Sequence, residues 1–74
     1  MSVTVKFGPA NSFVAKDGKY DDVSDILNDS ALASLLGFGD NVVAFVDGSE
    51  VDADFDLNDG AIVSLQTKAH GKSL

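Results

Sequence analysis

The hydrophobic period changes twice along this chain, and that change leaves few folds open to it. Val3, Val5 and Phe7 alternate with Thr4 and Lys6, the two-residue period of a strand with one buried face. Further on, Val23, Ile26, Leu27, Ala31, Leu32, Leu35 and Leu36 recur at spacings of three and four, which is the stripe of an amphipathic helix. Extended patterning returns at Val42–Val46 and again from Ala61 to Thr67. A helical stretch set between strands predicts a two-layer α+β fold, one sheet packed on one main helix.

Turn and cap residues divide these runs. Gly8-Pro9-Ala10-Asn11-Ser12 is turn chemistry, followed by a short extended run, Phe13 to Ala15, so the first two strands read as a hairpin. Asp22 is a good N-cap, and Asp25 three residues on gives a capping-box spacing with Asp in place of Glu. Asn28-Asp29-Ser30 interrupts the helical stripe, where Asp29 or Ser30 would cap a second short helix, and Gly37 suits the left-handed residue that ends it. The unbroken apolar run Val42–Val46 predicts a central strand covered on both faces. Asp47-Gly48 is a two-residue hairpin signal leading into Ser49, Glu50 and Val51. Phe55 and Leu57 read as plugs that anchor an acidic turn, and Val63 and Leu65 as the buried side of the last strand. The first and last strands are expected side by side and parallel, because the chain must return across the sheet after the helix. We expect a mixed sheet of four to five strands in a single domain over residues 1–74, ordered over about 2–69 with a flexible tail at 70–74.

Size and charge narrow the function. Seventy-four residues bury a small core, and without cysteine no disulfide or thiolate supports it. Twelve acids face five lysines for a net charge of −7, eleven of the acids are Asp, and there is no Arg. A chain so charged lacks the cations whose counterion release drives nucleic-acid binding. No stretch approaches the roughly 20 apolar residues of a membrane span, and the N-terminus alternates where a signal peptide would be apolar. The expected setting is cytoplasmic, as a monomer or weak dimer.

Four segments taken together resemble the ubiquitin-like β-grasp superfamily, and within it the small bacterial sulfur carriers of the ThiS and MoaD type. They are Val3-Thr4-Val5-Lys6-Phe7, the capped helix start Asp22-Val23-Ser24-Asp25-Ile26-Leu27, the strand and turn Val42-Val43-Ala44-Phe45-Val46-Asp47-Gly48, and Leu57-Asn58-Asp59-Gly60-Ala61-Ile62-Val63. The resemblance implies a β-grasp fold. Carriers of this type act through a C-terminal Gly-Gly, whereas the tail here reads Lys68-Ala69-His70-Gly71-Lys72-Ser73-Leu74 with one glycine. What the resemblance then implies is the scaffold, with protein binding through an exposed sheet face or edge strand.

Candidate sites are sparse. Asp52, Asp54, Asp56 and Asn58 place oxygen ligands at every second position, as a calcium loop does. Leu57 stands where an EF-hand needs Gly and Val63 where it needs Glu, so the expectation is a solvated acidic loop and no metal site. His70 is the only imidazole and sits in the tail, so no serine has an activating base placed in an ordered element. No catalytic residue and no cofactor is expected. Tyr20, Phe38 and Phe55 with Asp40 are the candidates for a partner contact, since aromatic residues near turns serve as interface anchors. The leading expectation is a non-enzymatic protein-binding module, an adaptor or accessory protein whose protein partner could be basic. The alternatives are a sulfur carrier or modifier that needs tail processing, and an acidic decoy for a basic nucleic-acid-binding site, such as a viral accessory protein.

Overall fold

The computed structural model describes residues 2–16, 18–39 and 41–68. Five strands and two short helices follow one another as β1 (Val3–Phe7), β2 (Asn11–Ala15), α1 (Val23–Leu27), α2 (Ser30–Leu36), β3 (Val42–Val46), β4 (Ser49–Val51) and β5 (Ala61–Thr67). The strands form one mixed sheet in the order β2-β1-β5-β3-β4. β1 pairs antiparallel with β2 and parallel with β5, Val5 lying beside Val63. β3 pairs antiparallel with both β5 and β4. The parallel β1–β5 neighbours expected from the chain reversal are therefore present.

Local chemistry explains where the elements start and stop. The β3–β4 turn puts Asp47 at φ 54 and Gly48 at φ 84, the paired left-handed residues that match the twist of a two-residue hairpin. α1 begins with the capping box: the Asp22 side chain accepts from the Asp25 amide at 3.0 Å, and the Asp25 side chain accepts from the Asp22 amide. The helical stripe breaks at Asn28, and Asp29 caps α2 by accepting from the Leu32 amide at 3.1 Å. α2 ends at Gly37, whose φ of 88 is the left-handed cap.

Both helices cover one face of the sheet. The core joins Val3, Val5, Ala15, Ala44, Val46, Val63 and Leu65 from that face to Val23, Ile26, Leu32 and Leu36 from the helices. Val5, Ile26 and Val63 are fully buried, each stabilising the fold by roughly 1.5–3 kcal/mol. One expectation is corrected here. β5, not Val42–Val46, is the middle strand. The helices lie on one side only, so Val43 and Phe45 look out from the uncovered face and remain partly exposed. Tail residues 69–74, with His70 and Gly71, lie outside the described residues.

Candidate functional site: the open face of the sheet

Several of the acidic residues that could have formed a site serve the fold. Ser24 Oγ donates to Asp22 Oδ1 at 2.6 Å. That bond, with the Asp25 amide next in weight, holds the Asp22 carboxyl below the ordinary carboxylate range. Tyr20 is buried and its hydroxyl donates to Asp29 Oδ2 at 2.7 Å. The hydroxyl bond, the Leu32 amide and Lys19 at 4.0 Å likewise lower the Asp29 carboxyl. Burial, then the adjoining carboxylate, pushes the Tyr20 phenol well above its usual value. Tyr20 thus ties the segment before α1 to the cap of α2, a structural task.

The acidic segment 52–59 is a helix cap built from backbone. The first amides of a helix have no partner within it. Here Val23 N–H donates to the Phe55 carbonyl at 3.1 Å and Ser24 N–H to the Ala53 carbonyl at 2.8 Å, while Asp22 satisfies the third. Leu57 N–H donates to the Asp21 carbonyl at 2.8 Å, and its side chain is buried in the core. This docking holds the loop against α1 with Asp52, Asp54, Asp56 and Asn58 exposed. Among the described residues no three carboxylates or imidazoles converge as a metal shell.

The partner-contact candidates divide. Tyr20 at 2% and Phe38 at 6% exposure are core residues, and Phe38 packs on Phe7 with ring centroids 6.0 Å apart. Neither offers a surface, because both side chains are part of the buried core. Phe55, expected as a plug, is instead exposed, and Leu57 alone fills that role. Phe55 shares a shallow hollow with Asp47 and Asp59. Asp40 lies outside the described residues.

Sequence reasoning expected docking on an exposed sheet face or edge strand but named none of the residues that form that face. Residues paired across strands share a face, so the registers lay out the uncovered side. One row runs Val14, Thr4, Ile62. The next runs Ser12, Lys6, Ser64, Phe45, Glu50. A third holds Gln66 and Val43. Val14 is 49% and Ile62 45% exposed, large aliphatic side chains in water; Thr4 lies between them, and Phe45 and Val43 stand on the strand next to Ile62. Within the strands the only charged residues are Lys6 and Glu50. Among the described residues no aspartate lies on a strand, so apart from Glu50 their negative charge sits on helices, turns and loops. The signal was present in the sequence as strands free of Asp, with Ile62 out of phase with buried Val63.

Comparisons agree with this architecture. The chain matches no protein-family model, and no curated protein is similar to it at a significant level. Solved structures are similar. The crystal structure of SAMP1 from Haloferax volcanii has a TM-score of 0.67 at 13% identity, over 97% of this chain and 100% of that one. A protein–protein complex of subunits 1 and 2 of molybdopterin-converting factor from Helicobacter pylori has a TM-score of 0.62 at 21% identity, over 97% and 100%. The ubiquitin-like domain of an Arabidopsis thaliana protein has a TM-score of 0.64 at 16% identity, over 100% and 83%. At these identities the likeness is one of fold, and the fold is the ubiquitin-like β-grasp.

Proposed function

We propose that this chain is a small, non-enzymatic protein-binding module that docks through the open face of its sheet. The observation that carries the reading is the exposed apolar group on the open face, Ile62 with Phe45 and Val43 on the neighbouring strand and Val14 across Thr4 on the edge strand, on a face with two charges in an otherwise acidic chain. Exposed apolar side chains grouped among polar ones are how interaction sites are built. One similar structure is a complex of two different subunits, which supports a protein partner in kind. Incorporating a photo-cross-linking residue at position 62 and, separately, at position 25 tests the reading in extract of the source cell. The expected result is a discrete cross-linked product from position 62 and none from position 25. Products from position 25 alone would move the docking surface to the helices and end the proposal.

A second reading, a sulfur carrier or modifier, is favoured by the likeness to the molybdopterin-converting factor complex. It requires a processed tail, and intact-mass measurement of the natural protein decides it: a chain ending at Gly71, or a terminal thiocarboxylate, is the carrier's mark.

A further inference from the structure

We propose that Asp47 is a site of backbone self-modification, where the Gly48 nitrogen closes a succinimide on the Asp47 carboxyl and hydrolysis leaves an isoaspartyl link in the β3–β4 turn. Attack forms a bond from the Gly48 nitrogen to Asp47 Cγ. The carboxyl hydroxyl leaves with the amide proton as water, and no oxidant, metal or co-reactant is consumed. Water then opens the imide at either carbonyl. Opening at Cγ restores Asp47, whereas opening at the backbone carbonyl leaves the chain running through Cγ. That product has the mass of the original chain and one extra methylene in a two-residue turn. The sequence holds three Asp-Gly pairs, beginning at Asp17, Asp47 and Asp59, and glycine leaves the attacking nitrogen least obstructed. Asp17 lies outside the described residues. The structure separates the other two.

Ring closure requires the glycine nitrogen to eclipse the aspartate Cβ. That happens at an aspartate ψ of about −120°, the value of the first central residue in a type II′ turn. Asp47 at φ 54 and Gly48 at φ 84 form a type I′ turn, with positive φ at both central residues. Types I′ and II′ share φ at the first central residue and differ by a flip of the central peptide plane. Gly48 accepts the sign of φ that each demands. Both types fit a two-residue hairpin, so the flip leaves Val46 paired with Ser49 and Phe45 with Glu50. The bond that closes the turn joins its flanking residues, which leaves the Gly48 amide out of it. Asp47 is exposed, and among the described residues its carboxylate has no hydrogen bond or ion pair. Asp59 is exposed too, but its turn is of another kind. The Ala61 amide donates to the Asn58 carbonyl at 3.0 Å, Gly60 has φ 85, and Asp47 alone among the described non-glycine residues has a positive φ. This is a type II turn, whose flip gives type I and leaves Asp59 far from the closing ψ. Both reacting groups are also held by Ser2. Its N–H donates to Asp59 Oδ1 at 2.7 Å, and its carbonyl accepts from the Gly60 N–H at 2.8 Å.

The test ages the full-length protein in warm, near-neutral buffer, one sample folded and a parallel one in urea. At intervals each is digested, and isoaspartate is located by mass spectrometry of peptides that an isoaspartyl methyltransferase has labelled. In the folded sample Asp47 is expected to convert at least about tenfold faster than Asp59, the rate cost of opening two hydrogen bonds at the slower site. In urea those bonds and both turns are gone, and the two rates should converge. Asp47→Asn should speed conversion at position 47, releasing ammonia in place of water, because a neutral amide is attacked more readily than a carboxylate. Asp47→Glu should abolish it there, since the ring would be larger and slower to close, and leave Asp59 unchanged. Equal rates in the folded sample, or a faster Asp59, would overturn the proposal. So would a preference for Asp47 that persists in urea, because neighbouring sequence and not the turn would then set it. Conversion of Asp47 in urea alone would show that the hairpin resists the flip, and would end the proposal as well.

Discussion

The two faces of the sheet share every strand and differ in almost everything else. On the covered face Val5 and Val63 are wholly buried under α1 and α2. On the uncovered face Ile62, one residue from Val63, is 45% exposed. A strand sends successive side chains to opposite sides, so one residue of register separates a core position from a surface one. The same kind of side chain serves stability on one side and, on our reading, association on the other.

The contrast can be broken most severely at positions 62 and 63. Val63→Asp places an unpaired charge among Val5, Ile26 and Leu65 and should cost about 4 kcal/mol or more, leaving a chain this small largely unfolded. Ile62→Asp should cost about 1 kcal/mol, the ordinary penalty of Asp in a strand. Urea unfolding measures both, and equal costs would mean that the uncovered face is covered after all. Next in size, Leu65→Ala opens a cavity worth about 2–5 kcal/mol, whereas Val43→Ala on the open side should change stability by no more than about 1 kcal/mol.

Smaller effects sharpen the account of the covered side. Tyr20→Phe removes the hydroxyl bond to Asp29 and should cost about 1 kcal/mol in the same assay. Asp29→Ala should be more damaging than Asp22→Ala, because only Asp29 both caps a helix and accepts from a buried phenol. Gly37→Ala has room for its methyl group but not the backbone for it, since φ is 88 and nothing lies within 4 Å. The expected loss is about 1 kcal/mol.

Titration adds a gentle dependence at both ends of the pH scale. Asp22 and Asp29 have lowered folded values. Their contribution is present above the unfolded carboxylate value near 4 and disappears as pH falls through the folded values. Tyr20 is raised, so its contribution is present below the unfolded phenol value near 10 and is lost as pH climbs further. Urea midpoints followed between about pH 2 and 12 should decline at both ends. Asp22→Asn with Asp29→Asn should flatten the acid limb and Tyr20→Phe the alkaline one. An unchanged acid limb in the double Asn variant would remove these caps from the explanation.

Local features were readable from sequence where one or two residues decide them. The Asp22–Asp25 capping box, the Asp29 cap, Gly37 and the Asp47-Gly48 turn all stand where their residue types place them. The errors arose where a decision depended on distant residues. Val42–Val46 read as a strand covered on both faces, yet Val43 and Phe45 look out from the uncovered face. Phe55 and Leu57 read as a matched pair, yet only Leu57 reaches the core. Tyr20 and Phe38 read either as core-edge residues or as interface anchors, and burial of both decides for the core. Hydrophobicity says that a side chain gains by leaving water; it does not say whether its own fold or a partner will cover it.

The sequence by itself determined the elements, their caps and turns, and the charge kept off every strand but for Lys6 and Glu50, because neighbouring residues control φ, ψ and helix-end hydrogen bonds. Only the tertiary structure decided which strand lies in the middle and that Ala53 and Phe55 cap α1 with their carbonyls. It alone left Val14, Ile62, Phe45 and Val43 together on an open face. Those outcomes depend on how segments far apart in the chain share one sheet and two short helices, and two helices this short have surface enough to cover one side of it.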